Sequence, residues 1–384
     1  AYNVGRMQRW RVGVQRELGR NLAVDISYNG SWADRPLGTT GTTQPVNYLP
    51  PSYYSPDKVR NTAMEADMNT KVPNPFHFSN FAFLAQTDAR LYNYLRTQSF
   101  FTNTTVTRSQ LRRLYPLFGD IDGKRPGDDT RGYTKYHDVQ VQLERRMTAG
   151  LAMTVMYTHS NSSDKYTYLN AFEAEPVWED NGDARPHVFV WTGSYDLPFG
   201  RGRRLVRGGF LRPFVSGWQV SWMYKYQTGI SIILSGSTRA PLFYYGDVSQ
   251  FAKRLKHNEV HSRDIHVWFD PTAAYQEKVT TPIPADFVGF EGRGAFQPAY
   301  NVNTFPVRFK DVRADALRFW NANIKRGFSL NESVRLRFGV DLLNLTNHTN
   351  FGSPNITVTS SLFGRVTSQN GDGRMIQAHF RLEF

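Results

Sequence analysis

The feature that most constrains this chain is the alternation of apolar and polar side chains at every second position. The last stretch, residues 374–384, shows it clearly, with apolar side chains at Ile376, Ala378, Phe380, Leu382 and Phe384. A period of two residues predicts a β-strand with one apolar face. Such a strand is unusual at the end of a water-soluble chain, where residues fray. A transmembrane β-barrel needs it, because its last strand closes the sheet.

About nine segments with this pattern follow one another, and we expect each to belong to a strand of roughly 10 to 12 residues. They cover residues 10–18, 22–29, 137–144, 151–158, 189–197, 218–227, 320–328, 334–342 and 374–384. At about 3.3 Å per residue and a tilt near 45°, each spans roughly 25 Å, the height of the apolar band of an outer-membrane barrel. No apolar run reaches about 18 residues, which excludes membrane-spanning helices. The sequence therefore predicts an all-β fold, an antiparallel transmembrane β-barrel.

Tight turns and long irregular segments alternate between the predicted strands. The two longest irregular segments are residues 31–132 and 232–314, and they are typical of the extracellular loops of outer-membrane barrels. Bacterial single-chain barrels have even strand numbers, whereas about nine strands leave the two chain ends on opposite sides. We therefore expect the C-terminal portion of a larger barrel, with an open edge along residues 376–384. A missed strand near residues 115–121 or 305–312 would restore an even count.

Composition narrows the function classes. Lys and Arg number 46 against 33 Asp and Glu, giving a net charge of +13, but the basic residues are spread along the chain. This spread favours solvent and lipid headgroups over nucleic acid as their partners. Aromatic residues make up 14% of a chain whose mean hydropathy is −0.51, which favours strands with a single apolar face. The chain has no Cys, which excludes disulfides and thiol metal sites, and no signal peptide is visible.

Several short stretches resemble one family of membrane proteins. They are residues 8–18, 72–76, 196–204, 217–220, 344–352 and 363–365, followed by the terminal aromatic strand. In this order they resemble the C-terminal half of the barrel of TonB-dependent outer-membrane receptors, specifically of the Oar-like type with a carboxypeptidase-regulatory-like domain. In the Asn-rich stretch 344–352, we expect the Asn side chains to hydrogen-bond turning backbone where a strand enters its loop.

The resemblance implies a receptor in the bacterial outer membrane that binds a bulky, scarce ligand and imports it. Its barrel would have about 22 strands around a plug, so residues 1–384 would form one C-terminal segment, with the plug and N-terminal domain absent. The implied partners are outer-membrane lipid, the plug and remaining barrel strands, and TonB through the missing N-terminal part. The barrel assembly machinery would read Phe380, Leu382 and Phe384 as its signal. No cofactor is implied.

Aromatic and metal-ligating side chains in the long loops are the candidate site residues. Aromatic candidates for ligand contacts are Tyr53, Tyr54, Phe243, Tyr244 and Tyr245, although loop aromatics also form small cores of their own. The candidate metal ligands are His257, His261, His266, Asp120 and Asp122. The spacing of His257 and His261 is compatible with a helical metal pair, and the two Asp lie in a stretch with calcium-like oxygen density but without a full loop motif.

Two alternatives to a receptor remain open, and an enzyme is not one of them. No nucleophile elbow or phosphate-binding glycine loop stands in a strand-to-helix context, so we expect no enzyme. A passive porin or surface adhesin on a smaller complete barrel is the first alternative to a receptor. A soluble β-sandwich that binds carbohydrate is the second, and it requires Leu22, Val24, Ile26 and Tyr28 to face a protein core.

Overall fold

The computed structural model describes residues 5–34, 46–56, 61–119, 121, 132–199, 205, 209–210, 212–233, 243–244, 268, 295–296, 300–303, 308–329, 334–356, 362 and 364–384. The strands are β1 Arg6–Gly19, β2 Leu22–Asp34, β3 Lys71–Pro73, β4 Thr105–Thr107, β5 Tyr133–Thr148, β6 Leu151–Thr167, β7 Val177–Asp180, β8 His187–Asp196, β9 Trp218–Gln227, β10 Ser231–Ile233, β11 Phe243–Tyr244, β12 Ala295–Phe296, β13 Arg308–Arg313, β14 Leu317–Ser329, β15 Arg335–Leu343 and β16 Met375–Glu383. The α-helices are α1 Thr62–Asn69, α2 Leu84–Thr87, α3 Ala89–Leu95, α4 Ser99–Thr102, α5 Arg108–Leu111 and α6 Arg212–Val215, and the 3₁₀ helices are Pro51–Tyr53 and Phe78–Phe81.

One antiparallel sheet dominates the fold. Its order is β1-β2-β5-β6-β8-β9-β14-β15-β16, and β7 pairs with the far end of β6. Each segment predicted from the alternation is one of these strands, so the all-β antiparallel fold is confirmed. β1 and β16 are the two edges, and no strand in the described part of the chain pairs with the outer side of either. The open edge predicted along residues 376–384 is therefore observed.

The connections differ between the two ends of the sheet. At one end, which we call the turn end, the strands are joined by residues 20–21, 149–150, 197–217 and 330–334. At the other, the loop end, they are joined by residues 35–132, 168–186, 228–316 and 344–374. Arg6 pairs with Asp34 at the loop end, and Glu383 pairs with Arg335 at the turn end. The first and last strands therefore both run from the loop end to the turn end, as predicted.

The two segments that could have restored an even strand count do not join this sheet. β13 pairs instead with β10 in a separate two-stranded sheet. Residues 115–119 contain turns and bends and no strand. The path through the main sheet therefore has nine strands among the residues that the structure describes.

The loop after β2 contains more regular structure than its lack of periodicity predicts. Its helices have four to eight residues, which is too short for a repeating apolar stripe. Local caps define three of them, because the side chains of Asn61, Asp88 and Thr107 each accept a backbone N–H of the first turn. The prediction of an irregular segment was wrong here, since capping is encoded by single residues and not by a period.

Cross-strand register gives the main sheet one apolar and one polar face. Ile26 pairs with Val141, Val141 with Tyr157, and Trp191 with Tyr224. Because directly paired residues of antiparallel strands point to the same side, these side chains form a continuous apolar face. The other face carries hydrogen-bonded polar pairs. They include Asn29 to Asp138 at 2.6 Å, Asn323 to Asp341 at 2.7 Å and Gln219 to Asp196 at 2.8 Å.

The apolar face is exposed, which contradicts the soluble β-sandwich alternative. Ile26 and Tyr28 are 49% and 39% exposed, and Leu22 and Val24 are only partly buried. These four side chains therefore do not face a protein core. Large apolar side chains on an exposed sheet face match the lipid-facing surface of a membrane barrel.

The well-buried apolar side chains lie instead at the loop end of the strands. Those of the described residues are Ala33, Leu49, Met68, Leu95, Val106, Tyr168, Ala184, Ile232, Trp268, Phe309, Val312 and Val366. All but one of them follow or precede the strands of the main sheet, in the loop-end connections. The protein core therefore lies in these connections. The apolar face of the sheet is not covered by this core and must be covered by its surroundings.

Candidate functional site

The loop-end connections interlock into one body, and we call their described residues the cap. Ser55 N–H donates to Tyr300 O at 2.8 Å, and Val302 N–H donates back to Ser55 O at the same distance. Asn170 and Asn303 exchange two hydrogen bonds, of 2.7 and 2.9 Å. These bonds join connections that are distant in the chain. The cap is therefore a folded unit and not a set of separate loops.

A cleft of about 500 Å³ lies at the base of the cap, on the polar side of the sheet. The outer end of β6 and its partner β7 form one wall, and β10 and β13 contribute the other. Asp164 of β6 pairs directly with Glu179 of β7, so both carboxylates point to one side. The apolar part of the lining includes Ile230, Ile233 and Ile356.

A buried ion pair holds the cleft together. Arg313 Nη2 lies 2.8 Å from Asp180 Oδ2, and the two side chains are only 15% and 3% exposed. Arg313 also donates to the carbonyls of Ala184 and Gly229, at 3.0 and 3.2 Å. A buried charge pair is more stable when hydrogen bonds satisfy its remaining donors, and these two carbonyls accept from Arg313 Nη1. The Arg313 guanidinium therefore fixes β13 against β7.

The second arginine of the cleft is held less closely. Arg308 Nε is 3.9 Å from Glu179 Oε2, and Arg308 Nη1 donates to Ser231 O at 3.2 Å. Gly182 leaves room for this guanidinium, since an added Cβ there would lie 2.6 Å from Arg308 Nη2. Arg308 thus contributes a positive charge to the cleft at a longer ion-pair distance than that between Arg313 and Asp180.

Three oxygen atoms that line the cleft have no hydrogen-bond partner among the described residues. They are Asp164 Oδ1, Glu179 Oε2 and Ser231 Oγ. The other carboxylate oxygens are satisfied, because Asn181 donates to Asp164 Oδ2 at 2.6 Å and Thr167 donates to Glu179 Oε1 at 2.5 Å. Buried acceptors without donors are costly. A ligand with hydroxyl or amino donors would satisfy them.

The charge state of Glu179 follows from its position in the cap. Burial raises the pKa of its carboxyl above the ordinary value, although the Thr167 hydroxyl and the Arg308 charge oppose that rise. Desolvation disfavours the ionised form of a carboxyl. The side chain therefore takes up a proton at higher pH than an exposed Glu. When ionised, it would be stabilised by a hydrogen-bond donor that enters the cleft.

Two of the aromatic residues predicted as ligand contacts, Tyr53 and Tyr54, lie in the cap and are not among the residues that line this cleft. Tyr54 packs against Phe172 with ring centroids 5.0 Å apart, and the Arg112 guanidinium lies 4.9 Å from the ring of Tyr53. Phe243 and Tyr244 form β11, which pairs with β12, and Tyr245 lies outside the described residues. The packing of Tyr53 and Tyr54 agrees with the alternative of a small loop core.

The predicted metal ligands His257, His261, His266, Asp120 and Asp122 all lie outside the described residues. Within the described residues, no group of three or more His, Asp or Glu side chains is placed to hold a metal ion. The three residues of the predicted assembly signal lie at the open edge. Phe380, Leu382 and Phe384 are 71%, 47% and 93% exposed.

Sequence reasoning missed the residues that form the cleft. The predicted strand that starts at Leu151 ended near Thr158, whereas β6 continues to Thr167. One signal was present, since Ser160, Ser162 and Asp164 continue the polar positions of that strand. The alternate positions past His159 are polar too, so hydropathy alone shows no alternation there.

No helix among the described residues is long and apolar enough to cross a membrane.

One protein-family model and several solved structures match this chain. A family model described as "Outer membrane beta barrel domain" matches residues 1–377. Similar solved structures include the outer membrane transporter YddB from Escherichia coli, with 10% identity and a TM-score of 0.36. The ferric citrate transporter FecA has 8% identity and a TM-score of 0.38, and BauA, the ferric preacinetobactin receptor from Acinetobacter baumannii, has 8% and 0.36. No curated protein sequence matches the chain significantly.

The lengths of these structures differ from that of the chain. The matches cover 100%, 98% and 98% of this chain, in the order given, but only 33%, 31% and 29% of the three solved chains. The chain therefore spans about a third of the length of the transporters that it matches.

Proposed function

The chain belongs to the family of outer membrane β-barrel domains and is located in the bacterial outer membrane, and from this premise we propose that it is the C-terminal barrel segment of a TonB-dependent receptor. The receptor would be of the Oar-like type, on the motif resemblance in residues 344–352. In this proposal it binds a bulky, scarce ligand on its outer side and imports it. The segment supplies the ligand surface and part of the barrel wall.

The observation that carries this proposal is the cap. The well-buried apolar side chains lie at the loop end, in the connections that interlock into one body. A passive pore gains nothing from a folded body at its mouth, whereas a receptor needs a fixed surface to recognise a ligand. The oxygens Asp164 Oδ1, Glu179 Oε2 and Ser231 Oγ would accept donors of the ligand.

The remaining partners follow from the two edges and the apolar face. The open sides of β1 and β16 would pair with the remaining strands of the barrel, because an unpaired edge cannot face hydrocarbon. Lipid would cover the apolar face. TonB would act on the plug, and the barrel assembly machinery would read Phe380, Leu382 and Phe384. Tyr53, Tyr54, Phe243, Tyr244 and Tyr245 remain proposed ligand contacts, and we propose no catalytic role.

Osmotic swelling of liposomes separates the receptor from a passive porin. The full-length protein is reconstituted into liposomes, which are diluted into arabinose or a larger sugar, with a known porin as the positive control. A plugged receptor gives no swelling above protein-free liposomes. Swelling that decreases with solute size would overturn the proposal and support the porin.

Import is tested in the native bacterium by following which compounds disappear from the medium. Wild type, a deletion of this gene and a TonB-depleted strain are compared by mass spectrometry of the spent medium. We expect at least one compound to be consumed by wild type and to remain in both other cultures. Equal consumption in all three would contradict energised import through this protein.

A further inference from the structure

A second cavity, of about 600 Å³, lies on the opposite face of the sheet from the cleft. Its floor consists of Phe189 and Trp191 of β8, Tyr224 of β9 and Trp320 of β14. Residues 346–349, which follow β15, form its wall. We call this cavity the outer groove.

The register of the sheet explains the aromatic floor. Trp191 pairs with Tyr224, and Tyr224 pairs with Trp320, so the three rings form one row across the apolar face. The Tyr224 and Trp320 rings meet edge to face with centroids 5.9 Å apart. Aromatic rows of this kind mark the level where a barrel wall meets the lipid headgroups. Since the row lies toward the loop end, this level belongs to the outer leaflet.

A rigid turn forms the wall of the groove. Asn344 and Asn347 both have positive φ, of 49° and 52°, a conformation that Asn tolerates. Asn344 Oδ1 accepts the His348 N–H, and Asn344 Nδ2 donates to His348 O, both at 2.9 Å. Asn347 Oδ1 accepts the Arg374 N–H at 3.0 Å. These bonds match the backbone role predicted for the Asn side chains, and they hold His348 over the groove.

The end of the outer groove nearest the loop end of the sheet carries a positive charge. Arg318 precedes Trp320 by two residues on the same face of β14, pairs with Tyr226, and donates through Nη1 to His348 Nε2 at 3.4 Å. Its guanidinium is 5.8 Å from the Tyr226 ring. No Asp or Glu lines the groove, and no carboxylate of the described chain is within ion-pair distance of Arg318. The groove thus combines an apolar floor with an unbalanced positive charge at one end.

We propose that the outer groove binds an acylated lipid that carries a phosphate, in the outer leaflet. The phosphate binds Arg318, with the Thr346 and Thr349 hydroxyls within the lining, and one acyl chain crosses the aromatic floor and continues toward the middle of the strands. Guanidinium is well suited to phosphate because it offers parallel N–H donors. A soluble phosphate would leave the aromatic floor empty. The site is independent of ligand import and holds whether the barrel is a receptor or a porin.

Native mass spectrometry of the detergent-solubilised full-length protein tests the site, with monophosphoryl lipid A as the probe. We expect one retained lipid per protein. Arg318→Gln weakens its binding about tenfold, the effect of one charge-assisted hydrogen bond. Lys325→Gln is the matched control, because it removes the same charge from the same strand on the polar face. Its binding stays at the wild-type level. Arg318→Lys retains part of the affinity, and heat-modifiability on gels shows that each variant folds.

Three results would overturn the proposal. Equal weakening by Arg318→Gln and Lys325→Gln means non-specific attraction to a basic protein. Full displacement of the lipid by millimolar inorganic phosphate means a phosphate site without an acyl contribution. Dimers that disappear in Arg318→Gln mean that a second copy of the chain, and not lipid, covers the groove.

Discussion

The two faces of the main sheet are built from the same strands but are stabilised in different ways. On the apolar face, Val141 pairs with Ile26 and Tyr157 and remains exposed. On the polar face, Asn29 and Asp138 satisfy each other at 2.6 Å, and Asp138 is buried. Apolar side chains gain from hydrocarbon around them, whereas polar groups lose there unless they are paired within the protein. The surrounding hydrocarbon stabilises the apolar face, and hydrogen bonds within the protein stabilise the polar face.

At the loop end the polar side gains a cover of its own. The cap buries the Asp180–Arg313 pair and an apolar core on that side. On the apolar side, residues 346–349 of the cap form a wall of the outer groove above its aromatic floor. The cap therefore depends on protein contacts and the outer groove on lipid. This contrast leads to four predictions.

The largest effect is expected from Arg313→Met in the cap. It leaves Asp180, whose side chain is 3% exposed, as a buried charge without its partner, which costs about 3–5 kcal/mol. The free energy of cap opening is measured by hydrogen exchange of β7 in the full-length protein. Arg11→Met is the control, because Arg11 is 62% exposed and 3.7 Å from Asp25, and such surface pairs contribute under about 1 kcal/mol. Comparable effects of both variants would show that the cap is not held by this pair.

Charge substitution tests the two faces directly. Val141→Arg places a cation on the lipid side, with an expected cost of about 2–4 kcal/mol near the bilayer midplane. Gln142→Arg places the same charge on the polar face opposite Asp25, and we expect almost no change. Urea unfolding of the full-length protein in lipid vesicles measures both. A larger cost for Gln142→Arg would reverse the assignment of the faces.

A glycine beneath an aromatic ring gives a smaller effect on the apolar face. An added Cβ at Gly193 would lie 2.4 Å from Trp222 Cζ2, so Gly193→Ala must displace the ring, at about 1–3 kcal/mol. At Gly327 the same Cβ would meet nothing within 4 Å, so Gly327→Ala is the control and should be neutral or stabilising. Unfolding in vesicles is the measurement, and Trp222→Ala should restore part of the loss at Gly193. No rescue would show that Trp222 is not the cause.

The smallest effect concerns pH and the cap. Because burial raises the pKa of Glu179, the folded cap holds its proton more tightly than the unfolded chain. Its contribution to stability is complete below the ordinary pKa and is lost as pH rises through the raised value. Asp164, Asp180 and Arg308 act on the same carboxyl. We expect the urea midpoint of the cap to fall with rising pH less in Glu179→Gln than in wild type. Identical pH profiles would exclude Glu179 as a contributor.

Much of the sheet could be predicted from the sequence. Alternation identified the nine strands along the main path of the sheet, but not β7, together with the polar and apolar faces and tight turns such as residues 149–150. The same pattern predicted the direction of the first and last strands and the open edge at β16. A period of two residues is a local property that each strand displays by itself, so no knowledge of its neighbours is required.

The candidate site could not be predicted in this way. Asp164, Glu179, Ser231 and Arg308 come from separate elements, and none of them stands in a motif. Tyr53 and Tyr54 were predicted as ligand contacts from residue type alone, which did not indicate their contacts with Arg112 and Phe172 in the cap. A loop of short capped helices has no period from which to infer its packing.

The sequence by itself determined the strands and the side of the sheet on which each residue lies, because alternation is read along one strand. Only the tertiary structure decided that Arg313 is buried against Asp180 and that the turn of residues 344–349 lies over the aromatic row. The physical reason is that burial and charge pairing depend on which distant segments meet. Those meetings are set by the packing of the cap and not by any local repeat.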